Sequence, residues 1–194
     1  MTDLHAADDH ATPLTPAERE DLIPTHITLR SELNELEQKN IASAVRWALG
    51  RRKVATHDTF LRELHRRMFN QVWRWAGKHR TTERNLGVKP HLIEIELRHA
   101  LDDVSYWIEH KSYPHDEVAV RFHHRLVSIH PFPNGNGRWS RLAADTLITQ
   151  LGGKRFTWGA ADLRAASSVR DFYIAALKAA DNHDLRPLIA FARS

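Results

Sequence analysis

The densest chemistry in this 194-residue chain lies at residues 130–141, HPFPNGNGRWSR. Two prolines bracket Phe132, two glycines flank Asn136, and an apolar helical pattern begins at about Gly137. A helix N-terminus attracts anions through its unpaired N–H groups and its dipole, and glycines let those groups come close to a ligand. Arg138 and Arg141, three residues apart, share a face of that helix. Cations there oppose the dipole, a cost that a bound polyphosphate would offset. With His130 as an adjacent titratable imidazole, the segment outlines a phosphoryl or nucleotidyl transfer site. As structure alone, it would be a Gly-Asn-Gly turn between two helices, with solvated arginines and a capping histidine. No GxxxxGK[ST], HExxH or zinc-type Cys/His spacing occurs. The chain has 14 histidines and no cysteine, so chemistry must rest on oxygen and nitrogen groups.

The elements that must position this segment read as helices. From Leu29 the positions Leu33, Leu36, Ile41, Val45, Ala48 and Leu49 recur at helical spacing up to Gly50. Phe60, Leu61, Leu64, Met68, Val72 and Trp73 make the next stripe, expected to end by Gly77. Between Lys78 and Pro90 the pattern dissolves into a polar stretch around Asn85-Leu86-Gly87, read as an irregular hairpin or flap. Leu92 to Ile108 is helical, as is the segment after Pro114, with Val118, Phe122, Leu126 and Ile129 inward. A helix from about Gly137 to Leu151 stops at Gly152-Gly153, and two more follow. The expected fold class is all-α, a helical bundle with a small β-hairpin flap.

Charge divides the chain unevenly. Residues 1–40 hold nine acids and three bases, and the remainder 15 acids and 25 bases, for a net charge of +4 overall. A basic body suits a phosphate-bearing partner. Residues 1–24, polar and broken by Pro13, Pro16 and Pro24, read as a mobile acidic leader, and 25–194 as one packed domain. No apolar run is long enough to cross a membrane, and the first residues resemble no signal peptide, so a cytoplasmic location is expected. His123 and His130 are seven residues apart on one face, but no third metal ligand accompanies them.

Residues 130–141 resemble the signature of the Fic (Fic/Doc) family, HPFx[D/E]GNGRxxR, at eight of its nine specified positions. Tyr173, Leu177, Ala180, Asp181, Asp184, Pro187, Leu188 and Ile189 are similar to that family's C-terminal helices. The resemblance covers roughly residues 25–193 and looks nearest to the subgroup called mobile mystery protein B. It implies transfer of AMP from ATP to a hydroxyl side chain of a target protein, with His130 as base. Gly135, Asn136 and Gly137 would form the anion hole, Arg138 and Arg141 would hold the β- and γ-phosphates, and Tyr173 and Asp181 would flank the base. The flap would register an extended target segment by main-chain pairing. Members that transfer the γ-phosphoryl carry Ala-Asn-Lys in place of the Gly-Asn-Gly-Arg kept here. Asn134 stands where an acidic residue would hold Mg²⁺ or Mn²⁺, and its amide oxygen is a weaker, uncharged ligand.

The resemblance also implies autoinhibition by a helix of pattern [S/T]xxxE[G/N], whose glutamate pairs with the second motif arginine. Ser31 and Glu35 are similar to it, apart from Leu36, and Glu35 is expected to meet Arg141. An antitoxin-like or regulatory partner, self-modification and a toxin-like role follow from the same resemblance. Two other readings stay open. One is an enzyme using another phosphate-containing donor or removing AMP from targets; the other is a non-catalytic basic helical binding protein. Helix-turn-helix and aromatic-plus-basic strand signatures are not evident, so nucleic acid is not the expected partner.

Overall fold

The computed structural model describes residues 15–52, 55–160 and 166–194, without the side chains of Arg30, Ala166 and Ser167. These residues form α1 (Pro16–Glu20), α2 (Arg30–Leu49), α3 (Asp58–Phe69), α4 (Ile93–Glu109), α5 (His115–Ile129), α6 (Asn136–Gln150), α7 (Ala166–Asp181) and α8 (Arg186–Arg193). A single 3₁₀ turn, Pro90–Leu92, leads into α4. The fold class is all-α, as the periodicity predicts.

The hairpin of α5 and α6 is the centre of the bundle, and the motif is the connection between them. α4 packs on α5, α2 and α3 pack on each other and on α6, and the α7–α8 pair closes over α5. Phe122, Leu126 and Ile129 of α5 are buried with Trp139, Ala143 and Ile148 of α6 and with Leu61, Leu64, Met68 and Phe69 of α3. The last turn of α6 ends at Gly152, whose φ of +82° is the left-handed conformation that glycine reaches without strain. The amides of Gly152 and Gly153 donate to the carbonyls of Thr149 and Ile148 there.

Three expectations differ from the structure. α3 stops at Phe69, because the chain turns to set Trp73 and Trp75 in a stacked pair and Gly77 N–H donates to the buried His65 ring. No strand forms over residues 78–90. The amides of Arg80 and Val88 are instead hydrogen-bonded to the carbonyls of Pro131 and Ile129, while the loop's own carbonyls are capped by the Arg80 side chain. Residues 15–24 are docked on the domain. Thr15 and Glu18 form a capping box, Trp75 Nε1 donates to the Glu18 carbonyl, and Ile23 and Val72 share a main-chain hydrogen bond. Indole and main-chain donors at residues 72–75 leave the leader a docking edge that its polar composition conceals. The rest of the expected leader, residues 1–14, lies outside the described residues.

Candidate active site

α5 ends by throwing His130 into the left-handed region, φ +53° and ψ +59°. A non-glycine residue holds that conformation only where its surroundings enforce it. Here the His130 carbonyl accepts from Arg80 Nε at 2.7 Å, and its amide donates to Leu126. The imidazole is buried, and burial together with the nearby Arg80 and Arg84 charges pushes its pKa down to about 4, although a hydrogen bond with the Val127 backbone opposes this. At neutral pH the ring is uncharged and able to accept a proton.

The loop that follows is stapled from within. Asn136 Nδ2 donates to the Phe132 carbonyl at 2.8 Å, and Phe132 N–H donates to Asn136 Oδ1 at 2.9 Å. The Asn136 side chain is therefore a structural clasp, and only its backbone N–H remains for an anion. Phe132 is fully buried against the His65 ring, with centroids 3.6 Å apart. His65 is a residue that sequence reasoning missed. Its Nδ1 accepts from Gly77 N–H, so Nε2 carries the proton and donates to the Asn134 carbonyl at 3.1 Å. Burial holds its pKa down at about 3, which keeps that tautomer neutral. Its one sequence signal was a histidine in the apolar stripe of α3, beside Leu61, Leu64 and Met68.

Gly135 caps α6 with φ +78°, and a Cβ there would lie 2.5 Å from the Phe69 ring. The first intrahelical hydrogen bond runs from Trp139 N–H to the Gly135 carbonyl, which leaves the N–H groups of Asn136, Gly137 and Arg138 for a ligand. No acidic residue occupies this first turn. Trp139 is core: it is buried and its Nε1 donates to the Leu61 carbonyl.

The two arginines are held differently. Arg141 donates from Nε to the Gly137 carbonyl at 3.1 Å, and its guanidinium lies 5.5 Å from the Tyr173 ring centre. No carboxylate pairs with it among the described residues, and burial lowers its pKa. Tyr173 Oη and His123 Nε2 are hydrogen-bonded at 3.0 Å, and burial raises the phenol to about 12. Tyr173 thus stands beside the motif helix, whereas Asp181 is mostly exposed and paired with His124 at 2.8 Å.

Arg138 is already occupied. Its Nη1 donates at 2.5 Å to Glu37 of α2, whose side chain is 8% exposed and also accepts from Trp73 Nε1 at 2.8 Å. The expectation that Glu35 meets Arg141 is not met. Ser31 and Glu35 face solvent, and Glu35 is 68% exposed with its ion pair to Lys39, one turn along the same helix. The reason is helical phase: two residues advance about 200°, so Glu35 and Glu37 lie on opposite sides of α2. Glu37 follows buried Leu33 by four positions and precedes buried Asn40 and Ala44. A polar residue in the buried register was the signal available.

Asn134 Oδ1 accepts from Gly135 N–H at 2.6 Å. No group of three His, Asp or Glu side chains suited to a metal ion occurs among the described residues. No described helix is long and apolar enough to cross a membrane.

Residues 56–148 match the Fic/DOC family model. The protein adenylyltransferase Fic of Drosophila virilis is 32% identical over 133 residues, which cover 66% of this chain and 26% of that protein. This chain therefore spans about a quarter of the length of such relatives. Among solved structures, the N-terminal Fic domain of a VirB-translocated Bep effector from Bartonella quintana aligns with a TM-score of 0.70 at 16% identity, covering 91% of each chain. BepC from Bartonella tribocorum, solved with bound AMPPNP, aligns with a TM-score of 0.69 at 17% identity, covering 92% of this chain and 97% of that one. The motif loop, the helical hairpin that carries it and these matches agree: this chain carries a Fic domain and belongs to the Fic/DOC family.

Proposed function

We propose that this chain is a protein adenylyltransferase that moves AMP from ATP to a Ser, Thr or Tyr hydroxyl of a target protein and releases pyrophosphate. The observation that carries the reading is a buried, neutral imidazole at the end of α5 followed by an acid-free helix start with Arg141 beside it. Neutral His130 accepts the hydroxyl proton as that oxygen attacks the α-phosphorus, and the bond from the α-phosphorus to the pyrophosphate oxygen breaks. General-base help of this kind contributes roughly 10²- to 10⁴-fold. The charge that develops on pyrophosphate is met by the free N–H groups of residues 136–138 and by Arg141, already oriented by Gly137 and Tyr173. Both the adenylyltransferase name of the Drosophila virilis relative and the AMPPNP bound to BepC support a nucleotide substrate.

The donor set does not fit a protein-held Mg²⁺. The Asn134 oxygen is neutral and engaged by Gly135 N–H, and the loop offers no carboxylate. Every step above uses only the chain's own groups and ATP. Glu37 supplies the restraint that Ser31 and Glu35 do not: its carboxylate fills the Arg138 guanidinium that a polyphosphate would otherwise engage.

The test is one incubation with α-labelled and γ-labelled ATP, comparing wild type, Glu37→Gln and His130→Ala. Label retained in protein only from the α-phosphate, and lost in His130→Ala, supports adenylyl transfer. Absence of label under every condition overturns it, and salt-dependent DNA affinity insensitive to Arg141 would then favour the binding-protein reading.

A further inference from the structure

Arg80 is buried beside the proposed base. Its guanidinium is spent wholly on main-chain carbonyls: Nε donates to His130 at 2.7 Å, Nη1 to Thr82 at 2.9 Å, and Nη2 to Val88. Thr82 and Val88 lie on the two limbs of the loop over residues 81–88, and His130 is the proposed base. Two main-chain bonds reinforce the same seam, from Arg80 N–H to Pro131 and from Val88 N–H to Ile129. Gly87, with φ +93°, fits between them; a Cβ there would lie 2.6 Å from the His130 Cβ and 2.8 Å from Arg80 Nη2.

A buried cation without a paired carboxylate is costly, and here each of the three guanidinium nitrogens has a carbonyl acceptor. The neighbouring carboxylate of Glu18 is taken by Arg84. The planar fork of arginine reaches three divergent acceptors at once, which the single ammonium of lysine cannot reproduce. The three acceptors therefore move together while the fork is in place, and the left-handed His130 peptide is one of them.

We propose that Arg80 is a positioning residue that locks the 81–88 loop to the His130 peptide, so that the base and the loop to which the family resemblance assigns the acceptor segment move as one body. This rests on the adenylyl-transfer reading. The charged groups facing His130 are Arg80 and Arg84 of the loop, while α5 contributes the Val127 carbonyl.

The experiment compares Arg80→Lys, which keeps the charge and loses the fork, with Arg80→Gln, which loses both. In wild type the Arg80 Nε–H is protected from solvent exchange. In Arg80→Lys, the amides of residues 80 and 88 exchange about 10-fold faster or more once the seam opens. Affinity for ATP stays within about twofold, while the rate of AMP transfer to protein falls by roughly 100-fold, the scale of an ångström's misplacement of a reacting group. NMR titration of the His130 ring stays low in the lysine variant and moves up in the glutamine variant only by the part that Arg80 contributes, because burial and Arg84 still hold it down. Exchange of the wild-type Nε–H at the rate of free arginine would overturn the lock. So would wild-type amide protection and transfer in Arg80→Lys. Should wild type transfer no AMP, the functional reading fails on its own, and the exchange and titration data still decide the lock.

Discussion

Replacing Glu37 with glutamine removes one charge and turns an amide NH2, a donor, toward the Arg138 guanidinium. The amide oxygen still accepts from Trp73 Nε1, so the buried indole keeps its partner and the packing of α2 survives. What is lost is the attraction to Arg138. Two unit charges about 4 Å apart interact by about 4 kcal/mol at an effective dielectric near 20. The Arg138 side chain is 32% exposed, so solvent screens part of this. We expect roughly 1.5–3 kcal/mol to remain, which corresponds to about a 10- to 100-fold change in affinity. ATP must displace Glu37 in wild type and meets a free guanidinium in the variant. Titration calorimetry with ATP should show that gain, and initial rates of labelled AMP incorporation at low ATP should rise with it. Glu35→Gln is the control and should behave as wild type, because its carboxylate pairs only with Lys39 at the surface. Unchanged ATP affinity in Glu37→Gln, or an equal gain in Glu35→Gln, would refute the reasoning.

Three further outcomes follow from the same geometry. Gly135→Ala forces a Cβ to within 2.5 Å of the Phe69 ring at a φ of +78°, and we expect about 1–3 kcal/mol of destabilisation together with loss of transfer; a thermal melt and rate matching wild type would contradict the tight cap. Because His130 stays neutral down to about pH 4, the acid limb of kcat/KM for acceptor protein should lie near that pH, and a limb near 6.5 would show a solvent-like imidazole. Burial depresses His65, His123 and His130 to about 3, 3 and 4 from 6.5, so the unfolded chain takes up protons that the folded chain refuses. Stability from these groups is full above pH 6.5 and falls as pH drops below it, by about 2 kcal/mol per histidine at pH 5. Equal urea midpoints at pH 7 and pH 5 would count against neutral burial.

The motif loop was readable because glycine, proline and charge placement are local signals, and the helices because their apolar stripes are periodic. Gly135 and Gly152 mark a cap and a stop that follow from backbone geometry alone. The identity of the restraining glutamate was obscured because a short pattern selected Glu35, while the burial register of α2, running through Leu33, Glu37 and Asn40, selects Glu37. Arg80 and His65 left little trace because they serve main-chain carbonyls, and a carbonyl has no residue type to pair with in a sequence. The docking of residues 15–24 was hidden for a related reason: it depends on main-chain groups and the Trp75 indole N–H rather than on an apolar stripe.

The seam between α1 and the 81–88 loop has a mechanical consequence. The Glu18 carboxylate holds Thr15 N–H at 2.8 Å on one side and the Arg84 guanidinium on the other. A single side chain thus links the start of the described chain to the loop that Arg80 fastens to His130. A pull upstream of Thr15 reaches the loop through that carboxylate and is shared with the bonds that hold residues 18–23 to residues 72–75. The Glu18 carboxylate thus couples α1 to the loop beside His130. A tag or binding domain fused there would be expected to alter acceptor selection before it altered nucleotide affinity, and acceptor KM measured against ATP Kd in such a fusion separates the two.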